Sequence, residues 1–448
     1  MSNPRELAIT ILVKTQAGSY GNLLLNRYLT MNMPQKNRAL ITELVYGVIQ
    51  NKLRLDYIIS QFSKIRLSKM SPFVKNAIRL GIYQLFFLDK VPDFAAVNES
   101  VNLVKMHEGK RAANFTNAIL RNVLRKKDKI SYPNRNTDIV KYLSIYYSFP
   151  TWLITRWLDL FGTDFTEDLC KAFNERPKLC IRVNTLLTNK EELLKQLSTE
   201  GVNAFPGRLA QEALYFLDSP PINQLKSFND GLFTPQDESS IIASLAVGVK
   251  GNDQVLDVAA APGGKTTHMA SLMKNQGKIV AWDIHPHRVK LIEQNSQRLK
   301  ATIVVTQVRD AQIPDEDMFN KFDKVMIDAP CSGLGVIRRK PDIKWFKKRE
   351  DILSLKIKQA RILEVCSKYV KPGGFLVYST CSIDPEENQK IVDDFLEKNK
   401  HFIYDDLRPY MPEKLHESFK RPYGQITLYP HIHGTDGFFI ARLKKTKS

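Results

Sequence analysis

Cysteine is scarce and scattered in this 448-residue sequence: Cys170, Cys180, Cys331, Cys366 and Cys381 are its five, and no two form a CxxC pair. That spacing excludes a disulfide framework of the secreted kind and offers no structural zinc site, so reduced thiols and no metal are expected. Long hydrophobic runs are missing as well. A helix that crosses a bilayer needs roughly 18 or more apolar residues, and no stretch approaches this. The opening residues lead into an amphipathic helical pattern, not a signal peptide, so a soluble, cytoplasmic protein with no membrane is expected. Nor is there low complexity or an internal repeat: hydrophobic residues at 43 % and charged residues at 25 % match ordinary globular chains, which argues against disorder.

Acidic residues are the minority, 47 against 66 Lys+Arg, and the formal charge of +19 implies a polyanionic partner. Residues 1 to 130 hold 21 Lys+Arg against 8 Asp+Glu, a net +13, whereas the remaining 318 hold 45 against 39, a net +6. A concentrated basic field of this kind usually serves phosphate neutralisation on nucleic acid.

The length exceeds one core of roughly 100 to 200 residues, so two or three folded units are expected. Residues 1 to 130 read as all-helical, with apolar positions at three-to-four spacing in Glu6 to Val13, Ala39 to Tyr46, Phe73 to Phe87 and Phe115 to Leu124. Lys126 to Asn136 combines charge with turn formers and marks a boundary near residue 130. Residues 131 to 235 read as a linker helix and a small α/β subdomain, with strands at Leu179 to Val183 and Ala213 to Leu217. From 236 to 448, apolar runs at Gln254 to Val258, Lys278 to Trp282, Thr302 to Thr306, Lys324 to Ile327 and Phe375 to Tyr378 alternate with helical stretches. This predicts a doubly wound parallel sheet, closed by a last strand at Gly437 to Ala441.

Directly after the first of these strands comes the loop Ala259, Ala260, Ala261, Pro262, Gly263, Gly264, Lys265, running into a helix. Its glycines let backbone approach a ligand at the carboxyl end of the sheet. A Walker A loop would need glycine where Ala259 stands, and no G-x-G-x-x-G is present. S-adenosylmethionine remains: it has no phosphates to cradle but carries a ribose that wants a carboxylate. Asp283, 20 residues beyond Gly263 at the end of the second strand, suits that ribose, and Asp310 after the third strand suits the adenine amino group. An aspartate at a strand end is by itself more often a turn or cap residue; three successive strand ends favour the cofactor.

The fourth strand ends in Asp328-Ala329-Pro330-Cys331-Ser332-Gly333 and the fifth in Ser379-Thr380-Cys381-Ser382. Cys170, Cys180 and Cys366 read as small buried hydrophobes, whereas Cys331 and Cys381 follow strands in polar turns. Carbon 5 of cytosine is a poor nucleophile until a thiolate adds at C6, which gives a reason for thiols at this place. Cys381 is assigned as that nucleophile, Asp328 as the group that binds the base edge near the cofactor's methionine end, and Cys331 as the group that assists loss of the C5 proton. Lys265 is placed to favour a thiolate or to contact the base, the alternative being a solvated helix-start lysine. Exocyclic-amine methylation needs no nucleophile and an Asn/Asp-Pro-Pro-aromatic turn, which is not the turn found here. Arg338, Arg339, Lys340, Lys344 and Trp345, just beyond Cys331, suit RNA phosphates and base stacking, or else a solvated loop with a core tryptophan.

Taken together, these residues resemble the Nol/Nop/Sun family of RNA 5-methylcytosine methyltransferases, and within it the bacterial branch acting on small-subunit ribosomal RNA. The resemblance covers the whole chain. It implies a Rossmann-like class I methyltransferase with a seven-stranded sheet, and it gives Cys381 the nucleophilic and Cys331 the product-releasing role. Ala259 to Lys265, Asp283, Asp310 and Asp328 match the family's cofactor positions without departure, and Arg338 to Trp345 and His433 to Phe439 also fit. Val97 to Val101 and Asn117 to Arg121 are similar to pieces of a NusB-type RNA-binding domain, which singles out a ribosomal RNA substrate. The target base must be unstacked for a thiol to reach it. Nothing demands more than a monomer. Two other readings stay open: an RNA-binding ribosome-assembly factor in which methylation is secondary, and a regulatory disulfide between Cys331 and Cys381.

Overall fold

The computed structural model describes residues 3–29, 33–218 and 220–447. Contacts divide the chain into two compact units, Met1–Glu175 with Ile337–Lys347, and Arg176–Val336 with Lys348–Ser448.

Ten α-helices build the first unit among the described residues: α1 (Pro4–Gln16), α2 (Gly21–Tyr28), α3 (Gln35–Gln50), α4 (Lys52–Phe62), α5 (Pro72–Phe87), α6 (Asp93–Arg125), α7 (Ile139–Tyr146), α8 (Thr151–Phe161) and α9 (Thr163–Asn174), with a short one at Ile343–Phe346 from the later segment. Local chemistry sets the helix starts. Asn3 accepts from the Arg5 amide ahead of α1, and Ser71 accepts from the Val74 amide ahead of α5, each followed by proline at the start of the helix. Helix α5 is the central member, burying eleven residues from Val74 to Leu85. Its approach to α3 leaves no room for a side chain at Gly47, where an added Cβ would lie 2.0 Å from the Tyr83 ring. Gly109, at φ 84°, breaks α6 into two helical arms. Within this unit residues 131 to 175 meet the preceding helices through aromatic rings: the Arg54 guanidinium lies 5.2 Å from the Tyr132 ring and 4.4 Å from the Tyr146 ring. The Leu53 amide donates to Ser148 Oγ (2.9 Å).

In the second unit, strands at Leu179–Val183 (β1), Asn203–Pro206 (β2), Ala213–Asp218 (β3) and Phe233–Pro235 (β4) form an antiparallel sheet in the order β2-β3-β1-β4. Ile181, Val183, Leu193, Leu197, Leu214, Phe216 and Phe233 form its core. A larger sheet follows from Gln254–Val258 (β5), Lys278–Asp283 (β6), Val304–Val308 (β7), Phe322–Asp328 (β8), Val370–Thr380 (β9), Phe402–Tyr404 (β10), Gln425–Leu428 (β11) and Phe438–Lys445 (β12). Its order is β10-β12-β9-β8-β5-β6-β7, with β11 paired to β12. The expected seven strands form that path, and β11 adds an eighth. The β7-β6-β5-β8-β9 stretch is parallel, and β12 runs antiparallel to β9. Parallel strands buried on both faces account for the continuous apolar runs. Among the described residues no helix is long and apolar enough to cross a membrane.

Candidate active site

The carboxyl ends of β5, β6, β8 and β9 carry the residues singled out by sequence. At the end of β5 the chain turns through Ala259 (φ 56°) and Gly263 (φ 95°), both in the left-handed region, before the helix Gly264–Leu272 begins. A Cβ on Gly263 would sit 3.2 Å from Ile292 Cα, so the loop passes close to a neighbouring helix. The loop is pinned at both ends. The Ala260 amide donates to the Trp282 carbonyl on the adjacent strand (2.8 Å). Arg182, fully buried on β1, donates to the Gly264 carbonyl (2.6 Å), to Thr267 Oγ1 (3.1 Å) and to the Gln236 side chain. Asp257, just before the loop, accepts from Thr266 (2.6 Å) while its second oxygen is buried without a protein partner. Burial pushes its carboxyl up to about 7 against the opposing effects of Thr266 and Lys265. A bare backbone cradle beside a buried, half-satisfied carboxylate fits a neutral-to-cationic ligand rich in hydroxyl and amino donors better than a polyphosphate. Arg182 and Asp257 were not legible as site residues, because their partners lie on other elements.

Asp283 ends β6, buried, with its Oδ1 accepting from the His285 amide (3.0 Å). Asp310 follows β7 and accepts from the Gln312 amide (2.9 Å). Both therefore also make the turn-shaping bond that an aspartate at a strand end ordinarily makes.

Strands β8 and β9 are parallel neighbours in which Asp328 lies opposite Ser379. Lys265 is nearly buried and donates to Asp328 Oδ2 (2.7 Å), and Ser379 donates to Asp328 Oδ1 (2.9 Å). The lysine is thus no solvated helix-start residue: its ammonium also lies 5.1 Å from the Phe438 ring. Three residues beyond Asp328 stands Cys331, and two beyond Ser379 stands Cys381, so both thiols leave the sheet on the same edge. Their sulfurs are 3.3 Å apart, half-buried, whereas Cys170, Cys180 and Cys366 are fully buried. The hydrogen bond to Cys381, then burial and the charges of Cys381 and Glu387, raise the Cys331 thiol well above its ordinary range. Cys331 therefore holds its proton in the resting protein.

A glycine contact fixes the two turns. The Gly335 amide donates to the Cys381 carbonyl (2.9 Å), and the Gly437 amide donates to the Gly335 carbonyl (2.8 Å). A Cβ on Gly335 would lie 2.0 Å from the Gly437 carbonyl oxygen and 2.8 Å from that of Cys381. Backbone cannot give way as a flexible side chain can, so Gly335→Ala is expected to lower unfolding free energy by about 1 to 3 kcal/mol. A urea midpoint equal to that of the native protein would contradict this packing.

The segment Ile337–Lys347 belongs to the first unit, and it corrects part of the expected RNA contact. Lys344 is fully buried. Its ammonium donates to the Gln50 carbonyl (2.8 Å) and lies 4.0 Å from the Phe149 ring, so it cannot reach a phosphate. Trp345 donates to the Ile49 carbonyl (2.8 Å) and has Lys52 over its ring at 5.0 Å, commitments that favour an anchoring role over base stacking. Arg338 and Arg339 are half-buried and Lys340 is exposed. Burial lowers the Lys344 ammonium to about 7. A folded value below the unfolded one means that the unfolded chain binds more protons between about pH 7 and pH 10.5. Stability relative to Lys344→Met should then be constant below about pH 7 and rise by about 2 kcal/mol from pH 7 to pH 9. Chemical denaturation of both proteins at the two pH values reads this, and a pH-independent difference would refute it.

Comparison with known proteins bears on this geometry. The family model described as 16S rRNA methyltransferase RsmB/F matches residues 244–444, the NusB family model matches residues 2–125, and the RsmF/B-like ferredoxin-like domain model matches residues 149–223. The chain is 39 % identical over 448 residues to a protein of Bacillus subtilis (strain 168) named probable ribosomal RNA small subunit methyltransferase B, covering 98 % of each. A protein of the same name from Synechocystis sp. is 34 % identical, over 99 % of this chain and 100 % of its own. Among solved structures, PH0851 superposes with a TM-score of 0.80 at 28 % identity over 99 % of both chains. NSun6 from Pyrococcus horikoshii with SFG superposes with a TM-score of 0.60 at 25 % identity, over 67 % of this chain and 100 % of that one.

Proposed function

The chain belongs to the ribosomal RNA small subunit methyltransferase B family, and from that premise we propose that it methylates C5 of a cytosine in 16S ribosomal RNA through a covalent cysteine adduct. The observation that carries this reading is the pair of turn thiols, 3.3 Å apart, beside the Lys265–Asp328 pair. S-adenosylmethionine, held by the Ala259 to Lys265 loop with Asp283 and Asp310, supplies an electrophilic methyl group on a sulfonium.

The protein's own residues account for the rest. Cys381 as thiolate adds to C6 of an unstacked cytosine; the C5–C6 π pair moves into the ring and makes C5 nucleophilic. Asp328, oriented by Lys265 and Ser379, binds the base edge and supports protonation of the ring as charge builds there. Once C5 bears the methyl group, its proton must leave so that the double bond reforms and the Cys381 sulfur departs with its electron pair. Cys331, 3.3 Å from Cys381, is the group suited to take that proton, after giving up its own thiol proton to solvent. Methylation of an exocyclic nitrogen would need none of this thiol chemistry.

The test is product identity. The protein is incubated with small-subunit ribosomal RNA and methyl-labelled S-adenosylmethionine, and the RNA is digested to nucleosides. Label in 5-methylcytidine is expected; label in another nucleoside, or none on any small-subunit substrate, would overturn the assignment. The net +13 of residues 1 to 130 supports the second reading, an RNA-binding assembly factor, which predicts tight RNA binding without labelled product.

A further inference from the structure

Resting on the two-thiol reading above, we propose that Glu387 is a positioning residue that holds the Cys331 and Cys381 turns in one register. Glu387 closes the short helical turn Pro385–Glu387 and is fully buried. Its Oε1 accepts from the Ser332 amide (2.7 Å) and from Gln359 Nε2 (3.0 Å). Its Oε2 accepts from the hydroxyls of Ser332 and Ser382, the latter at 2.6 Å. Ser332 and Ser382 are the residues that directly follow the two cysteines.

The grip extends to the other side of each thiol. Gln359 also donates to the Pro330 carbonyl (3.0 Å), so Cys331 is held at the residue before it and the residue after it. Asn388, next to Glu387, accepts from Thr380 Oγ1 and donates to the Ser382 carbonyl (2.9 Å), which flanks Cys381 in the same way. A buried carboxylate met by four uncharged donors is costly to desolvate, and an apolar residue would serve packing alone at lower cost. An acceptor-only group with two oxygens is what can bridge two hydroxyls and an amide from separate turns at once. Removing the bridge leaves the two turns joined by the Gly335–Cys381 backbone bond (2.9 Å) and the Ser332–Ser382 hydroxyl contact (3.2 Å), without the buried acid that sets their register.

Reversible disulfide closure reads the register without any methylation step. The diazene oxidant diamide takes two electrons and two protons from a thiol pair, giving a disulfide and a hydrazine. In the native protein, sulfurs 3.3 Å apart should close rapidly. Glu387→Gln places an amide N–H against donors, and closure should slow about tenfold or more, with kcat reduced about 10- to 100-fold, the order attached to small misplacements of reacting groups. KM for RNA and for S-adenosylmethionine should stay within about twofold. A lowered melting temperature with native closure rate and native kcat would overturn the proposal and leave Glu387 a folding residue only. Should Glu387→Gln not fold, Ser382→Ala removes one donor and retains the carboxylate. It should move closure and kcat in the same direction by a smaller factor, and native values for it would equally overturn the clamp. The Cys331→Ala protein is run alongside: absence of a covalent RNA complex there sinks the two-thiol reading, whatever the closure rates show.

Discussion

Cys381→Ser is expected to abolish 5-methylcytidine formation, by about 10^4-fold or more, and to form no covalent complex with RNA. Removing a covalent nucleophile costs rate on this scale because every later step depends on the bond that it forms. Serine preserves the size and turn position of Cys381, but its hydroxyl ionises far less readily than a thiol. The loop proposed to hold the cofactor sits at the end of β5 and is pinned by Arg182 and the Trp282 carbonyl, not by Cys381. Cofactor affinity measured by calorimetry should therefore be unchanged. A variant that retains methylation within about tenfold of native would mean that Cys381 does not form the adduct.

Cys331→Ala should behave in the opposite sense, with turnover falling by about 10^2- to 10^4-fold, the usual contribution of a placed general base, while a protein–RNA complex accumulates. In the resting protein, the hydrogen bond to Cys381, burial and nearby negative charge keep the proton on Cys331. In the proposed adduct Cys381 is an uncharged thioether, so its charge no longer opposes ionisation of Cys331. In that state Cys331 is proposed to release its proton to solvent and then to take the C5 proton. On the proposed mechanism the 3.3 Å contact would couple the two steps, adduct formation preceding use of Cys331 as the base. A band of retarded mobility on denaturing gels, sensitive to both protease and ribonuclease, reads the accumulation. Its absence at undiminished turnover would remove Cys331 from the reaction.

How far the sequence was legible follows from where each residue's partners lie. Strand Gln254–Val258 was read to its ends because five apolar-rich residues sit between turn formers, whereas Phe402–Tyr404 and Gln425–Leu428 are too short to carry a pattern. The turn cysteines were readable because strand, polar turn and thiol are adjacent in the chain. The sequence leaves Lys344 between an RNA contact and a solvated loop, and neither fits, because its burial depends on a carbonyl 294 positions away, which no local pattern announces. Glu387 went unread for the same reason: it stands among acidic residues of an ordinary-looking turn, and Ser332, which gives it meaning, is 55 positions upstream. Asp283 and Asp310 show a third case, where turn-forming and ligand-binding aspartates have one signature, and the turn bonds they make do not exclude a ligand.

The most direct measurement is mass spectrometry on the complex that Cys331→Ala forms with small-subunit ribosomal RNA and S-adenosylmethionine. After protease and ribonuclease digestion, the peptide containing Cys381 should carry one methylated cytidine nucleotide, linked through sulfur. A cross-link at any other residue, or a Cys381 peptide that remains unmodified while the product accumulates, would contradict the mechanism.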